Sequence, residues 1–166
     1  TVYEDPEGNI WICTNEGLFR YEEASDSFSQ PFRGRKDFPI QETIYYIYKQ
    51  DSKGNTWFGM YLEGAYYYSP KSRTYVHFST NAPEHLRITD NLIRVIFEDS
   101  RGNIWIGTNN GLNIYDPSAQ AIIRRFSAGT ADGNSISYGN IRSIAETKEG
   151  KILIATLGGG VNIYDP

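Results

Sequence analysis

The chain has one cysteine, Cys13, in 166 residues. No intrachain disulfide can form, and the redox compartment cannot be read from cysteine usage. A basic tract is missing too: no run of Lys or Arg exceeds two or three, the net charge is −4 and the pI is near 5.2. That balance excludes nucleic acid as a principal partner. No apolar run approaches the roughly 18 residues of a membrane helix, so no direct membrane insertion is expected. No signal peptide precedes Thr1, but the chain opens in mid-strand, so this says nothing about compartment. Histidine is scarce: His77 and His85 have no plausible nucleophile partner, and a catalytic triad is not supported. A helical period is also absent, since no 3.6-residue apolar repeat survives ten residues.

What the chain has in excess is aromatic residues, 14% of the total with 13 tyrosines, within 39% hydrophobic residues. That is ample material for a core, and its bias favours sheet over helix. The stretch EDSRGNIWIGT, Glu98 to Thr108, reads as a hairpin. Asp99 opens a type I turn that Gly102 closes at a position tolerating positive φ. The unit recurs as EDPEGNIWICT (Glu4 to Thr14), QDSKGNTWFGM (Gln50 to Met60) and a degraded ETKEGKILIAT (Glu146 to Thr156). Trp11, Trp57 and Trp105 all occupy one slot, with Leu153 in the fourth copy. The differences 57 − 11, 105 − 57 and 153 − 105 are 46, 48 and 48 residues. Such registration marks a repeat array with a period near 48.

Each repeat reads as four short strands. In the third these are Leu92 to Glu98, Asn103 to Thr108, Gly111 to Tyr115 and Ile122 to Phe126. The second gives Thr43 to Lys49, Thr56 to Met60, Ala65 to Tyr68 and Thr74 to Phe78. The first gives Thr1 to Glu4, Ile10 to Thr14, Leu18 to Tyr21 and Phe28 to Phe32. The fourth stops after three, Ile141 to Ala145, Ile152 to Thr156 and Val161 to Tyr164. The first two strands are near-continuous apolar runs and should be buried on both faces, whereas the third and fourth alternate as strands nearer solvent do. Polar connections end on Ile40, Ile88 and Ile136. Four-stranded antiparallel units at this period predict an all-β fold, a β-propeller arc of about four blades from a seven- or eight-bladed ring. The blades fall at approximately 1–32, 40–78, 88–126 and 136–166, the first and last incomplete, within a single partial propeller region over 1–166.

The pattern ED-x-x-GN-[IL]-W-[IL]-GT-x-x-GL-x-x-Y-D-P resembles the two-component regulator propeller repeat. The third unit carries it nearly throughout, from Glu98 through Trp105, Gly107, Gly111 and Tyr115 to Asp116 and Pro117. The first unit has Cys13 for Gly and lacks Asp-Pro after Tyr21. The second departs at Tyr66 to Tyr68, and the fourth loses the Trp and the Asp-x-x-Gly-Asn turn. The resemblance implies the periplasmic sensor region of a Bacteroides-type hybrid two-component system. There, two seven-bladed propellers precede an immunoglobulin-like domain, a membrane helix, a histidine kinase and a DNA-binding output domain. An oligosaccharide ligand and signalling to a kinase outside this chain follow as expectations.

The residues the motif fixes read as structural. Asp5, Asp51 and Asp99 suit turn-capping better than calcium or acid catalysis, since the oxygen-rich Asp-x-Asp-x-Asp-Gly spacing is missing. Gly8, Gly54 and Gly102 shape the turns, and Trp11, Trp57 and Trp105 are expected to stack between blades. Cys13, in the slot held by Gly59, Gly107 and Ala155, reads as a small packing residue rather than a reactive thiol. No metal or cofactor is expected.

Function is therefore expected where the repeats differ. The loops joining second to third strands share a propeller face with the connections between blades. That face carries Asn15, Glu16, Tyr61 to Glu63, Asn109, Asn110 and Leu157 to Gly159, with Arg33, Arg35, Lys36, Asn81, His85, Arg87, Asp132 and Asn134. Arg33, Arg35, Tyr61, His85, Arg87, Asn109 and Asn110 are the candidate ligand-binding residues, rings for stacking and polar groups for hydroxyl, carboxylate or sulfate. The alternatives are a non-catalytic dimerisation scaffold and, behind it, a propeller lyase or glycosidase. An open arc should also bare an apolar blade face at each end. The expected cover is the remainder of a propeller or a second copy of the chain, two arcs making a ring of about eight blades.

Overall fold

The computed structural model describes residues 1–35, 45–129 and 135–166. Lys36, Ile40, Thr43, Asp132 and Asn134 lie outside the described residues. The apolar runs and their Gly-containing turns fold into strands in chain order. β1 (Val2–Glu4), β2 (Ile10–Thr14), β3 (Gly17–Glu22) and β4 (Ser27–Ser29) form one sheet. β5 (Tyr45–Gln50), β6 (Thr56–Met60), β7 (Ala65–Ser69) and β8 (Thr74–Phe78) form the next. β9 (Ile93–Glu98), β10 (Ile104–Thr108), β11 (Gly111–Asp116) and β12 (Ala121–Ala128) follow. The last sheet holds β14 (Ile141–Glu146), β15 (Ile152–Thr156) and β16 (Gly160–Tyr164). Within each blade these strands pair antiparallel in sequence order, the blade plan of a partial β-propeller.

Stability comes from the seams between blades, because a single sheet cannot bury both its faces alone. Trp11, Cys13, Leu18, Tyr45, Tyr48, Phe58 and Met60 fill the first seam. Trp57, Phe78, Ile93, Ile96, Ile104, Ile106 and Tyr115 fill the second, and Trp105, Leu112, Ile114, Phe126, Ile141, Ile144 and Ile152 the third. Each tryptophan stands in the seam that its blade shares with the next. Trp57 meets Tyr115 edge-on with centroids 5.8 Å apart, and Trp105 meets Tyr164 likewise at 5.3 Å. Trp11 instead stacks on Tyr48 at 4.4 Å.

Five details differ from the sequence reading. The first strands are not buried on both faces: β5 is fully buried only at Tyr45 and Tyr48 and β9 only at Ile93 and Ile96, since both border an open cleft. The fourth strand of the first blade is Ser27–Ser29 rather than Phe28 to Phe32, because a 3-10 turn at Glu23–Ser25 shortens the return. A second 3-10 turn, Glu84–Leu86, stands in the connection before β9, so single helical turns exist where none was expected. β11 is buried from Gly111 to Tyr115 rather than facing solvent, with Tyr115 packed into the second seam and Leu112 and Ile114 into the third. Finally β13 (Ser135–Ile136) adds to β12 in parallel, and Ile136 is buried in the third seam.

Candidate functional site

At one end of the blades stand the β1–β2-type turns, and their chemistry is structural. Asp99 Oδ1 accepts the N–H groups of Arg101 and Asn103 at 3.0 and 2.9 Å, and its Oδ2 accepts the Trp105 indole N–H at 2.8 Å. Asp5 and Asp51 do the same for Trp11 and Trp57, at 2.8 and 3.0 Å. Burial raises the Asp5 pKa, but the bonds from Trp11, Asn9 and Glu7 together outweigh it and hold the carboxyl below its ordinary value. Gly102 takes φ +82°, with open space where a Cβ would stand. The fourth copy keeps this turn without the Asp: Gly150 at φ +82° donates its N–H to the Thr147 carbonyl at 3.0 Å. The Gly107 slot has the opposite logic. A Cβ there would lie 2.6 Å from Val95 Cγ1 and 2.7 Å from Ile141 Cγ2, in the seam with the next blade. Cys13 is buried, and desolvation pushes its thiol up to about 11, the state of an inert packing residue.

These turns also join neighbouring blades. Glu98 accepts the Ser52 N–H and hydroxyl at 2.7 and 2.6 Å; Glu146 accepts those of Ser100 at the same distances. At the first seam the turn residue is Pro6, which has no N–H, and the facing residue is Gln50 rather than Glu.

At the opposite end, the loops between second and third strands meet the connections entering the inner strands. The Gly64 N–H donates to the Asn91 carbonyl at 2.8 Å, Gly111 to Gly139 at 2.7 Å, and Leu157 to Asn140 at 2.8 Å. Thr108 braces its loop by donating to the Gly111 carbonyl at 2.9 Å, as Thr14 does to Gly17. Here Tyr61 and Asn109 find partners that the sequence reading missed. Tyr61 lies edge-on to Tyr46, centroids 5.5 Å apart. Asn109 Oδ1 accepts from Arg94 Nη2 at 3.0 Å and from Asn140 Nδ2 at 2.8 Å. Arg94 Nε and Asn140 Oδ1 are buried with no partner among the described residues.

Backbone irregularity explains how Tyr46 and Arg94 arrive there. In β5 the register passes from Tyr45↔Met60 to Ile47↔Gly59, leaving Tyr46 as the extra residue of a bulge. In β9 it passes from Ile93↔Thr108 to Val95↔Gly107, leaving Arg94, and in β14 from Ile141↔Thr156 to Ser143↔Ala155, leaving Arg142. A bulge releases one residue from the ladder and re-aims its side chain. Tyr46, Arg94 and Arg142 therefore share one structural position in three successive blades. All three line a cleft of about 500 Å³ on the inner, concave wall, with Tyr3, Tyr48, Lys49 and apolar residues of β1, β5 and β9. Three cationic side chains border this cleft and no carboxylate does. Burial lowers the Lys49 pKa, with Glu98 opposing, and its ammonium lies 5.3 Å from the Phe97 ring centroid.

The remaining expected residues lie apart from this cleft. Asn110 is exposed and its backbone packs over Gly139. Arg33 is exposed after the first blade and bonds Gln30 Oε1 at 2.8 Å, while the Arg35 guanidinium sits 5.7 Å from the Phe32 centroid. Arg87 pairs with Glu84 at 2.8 Å, and Glu84 also holds Arg125 of β12 at 3.0 Å, so Glu84 fastens the connection to the outer strand. His85 lines a separate outer cleft of about 260 Å³ with Tyr67, Tyr115 and Gln120. His77 stacks on Tyr66 with centroids 4.2 Å apart. Among the described residues no group of three or more His, Cys, Asp or Glu is placed to hold a metal, and no helix is long and apolar enough to cross a membrane.

Residues 1–16 and 87–110 match the model of a family described as "Two component regulator propeller". No curated protein matches the chain. Among solved structures it is similar to the extracellular domain of the hybrid two component system BT4673 of B. thetaiotaomicron, with TM-score 0.67 and 17% identity over 99% of this chain and 24% of that one. The corresponding domain of BT3049 from the same organism gives 0.58 and 19%, over 98% and 26%. Virginiamycin B lyase from Staphylococcus aureus gives 0.58 and 13%, over 98% and 54%. At these identities the likeness is one of fold, and the chain spans about a quarter of the length of the two sensor domains.

Proposed function

We propose that this chain is a ligand-recognising part of a sensor propeller outside the cytoplasm, in the periplasm. It binds an oligosaccharide and passes its occupancy to a kinase outside residues 1–166. One observation carries the reading: the bulged residues Tyr46, Arg94 and Arg142 gather at the inner wall, with Tyr61 and Asn109 from the adjoining loops. Tyrosine rings offer faces to sugar C–H groups, and Arg and Asn offer donors in fixed directions to sugar oxygens. The repeats of the two-component regulator family and the sensor-domain neighbours support the same reading. The role is non-catalytic in this reading. Glycoside hydrolysis needs a pair of carboxyl groups around the scissile bond, and the lining of this cleft supplies none. A glycan array probed with the folded chain tests it: hits lost on Tyr46→Ala substitution support sensing, and a blank array counts against it.

A scaffold role has its own support. Val2, Val161 and Ile163 are 66%, 63% and 67% exposed, apolar residues on the first and last blades. Further blades of a ring or a second copy of the chain would cover them. Light scattering showing a stable monomer would count against the second copy.

A further inference from the structure

We infer that the inner-wall cleft selects anionic saccharides, their acidic group seated between Arg94 and Arg142 and a sugar ring carried on Tyr46 and Tyr61. This rests on the oligosaccharide-sensing reading above and narrows its ligand class.

Three observations converge on it. First, the protein is acidic overall, at net −4, yet its inner cleft is bordered by Lys49, Arg94 and Arg142 and by no carboxylate. A concave wall of one charge sign concentrates its field on the opposite charge. The Lys49 ammonium sits over the Phe97 ring at 5.3 Å, so the two arginines are the cations we assign to a ligand. Second, the arginines are the extra residues of matching bulges in adjacent blades, so the fold spends two ladder irregularities on placing them. Third, one of the two arginines is held in a fixed orientation. Arg94 gives one Nη2 N–H to Asn109 at 3.0 Å, which fixes the guanidinium plane. Its terminal Nη1 and Nη2 form the end of the fork that carboxylate and sulfate oxygens match in pairs.

Carboxylate and sulfate share this chemistry, so the test separates them. Calorimetric titration of the folded chain would use a uronate oligosaccharide, a sulfated oligosaccharide, a neutral oligosaccharide of the same length, and inorganic sulfate. At least one acidic saccharide should bind about 10- to 100-fold more tightly than the neutral one, and affinity should fall as salt is raised. Arg94→Gln should remove most of that preference. Arg142→Glu, at an exposed position where folding is not at stake, should abolish it, while Lys53→Gln on the opposite face should leave it intact. Equal binding of acidic and neutral sugars would overturn the anion preference and leave oligosaccharide sensing standing. Acidic binding that survives both arginine substitutions would place the subsite elsewhere and overturn the assignment. Binding of inorganic sulfate alone would reduce the site to an adventitious anion cradle. Failure of every saccharide to bind would remove the sensing reading as well.

Discussion

Asp99 and Trp105, six residues apart, are joined at 2.8 Å by an indole N–H donated to a carboxylate whose other oxygen holds the turn between them. One side chain thus fixes both the hairpin's geometry and the ring that fills the seam with the next blade. The fourth repeat supports the linkage, since Thr147 replaces the Asp where Leu153 replaces the Trp.

Asp99→Ala should destabilise the protein by about 2–3 kcal/mol, because it orphans a buried indole donor and two turn N–H groups. Asp99→Thr combined with Trp105→Leu, the pairing found in the fourth repeat, should cost less than the sum of the single changes. Urea unfolding of the four proteins in a double-mutant cycle checks this; strict additivity would contradict the coupling.

Two glycines of this hairpin should fail differently. Gly102 needs positive φ and has room, so Gly102→Asn, which tolerates that conformation, should be milder than Gly102→Ala at about 1–2 kcal/mol. Gly107 has no positive φ but lies against Val95 and Ile141, so Ala there should cost about 1–3 kcal/mol and Asn more. Ranking the four variants by thermal midpoint tells the two mechanisms apart.

The clamps between turns differ from seam to seam. Glu98→Gln should cost about 0.5–1.5 kcal/mol by weakening the bonds to Ser52. Conversely, Pro6→Ser with Gln50→Glu installs at the first seam the pairing that the other two possess. The double variant should melt higher than either single one, by calorimetry.

Acid should weaken the first blade. Because the folded-state pKa of Asp5 is depressed, its contribution is present above the unfolded value of about 3.9 and is lost as pH falls through the folded value. Asp5→Asn should be less stable than the parent at pH 7 and should lose less further stability between about pH 4 and pH 2. Denaturant titrations at three pH values suffice to compare them.

Much of this molecule is legible in its sequence because the repeat writes local rules four times. The slots of Asp5, Gly8 and Trp11 recur at Asp51, Gly54 and Trp57, and each is decided within about six residues of chain. Burial of β11 was not legible, because it depends on what lies on either side of the third blade. Placement of His85 and Arg87 was equally hidden, as it turns on Arg125 reaching back from β12 to Glu84. The inner-wall residues left a faint trace: Arg94 and Arg142 stand 48 positions apart on the same inner-strand slot, with Tyr46 in the second repeat. Variation in a strand reads as packing, however, and only the bulges reveal those side chains as released from the ladder.

The three seams are separate cores, each shared by two neighbouring repeats and by no third. Length is therefore a free variable of this architecture. Duplicating or excising one 48-residue unit alters the number of seams but asks no surviving seam to repack. Genetic expansion and contraction of such an array can proceed by unequal recombination, with each new junction tested only against its two immediate neighbours. The seam of Pro6 with Gln50, unlike the others, is then a local signature of adjacency, one that a shuffled copy would carry with it only if both halves moved together.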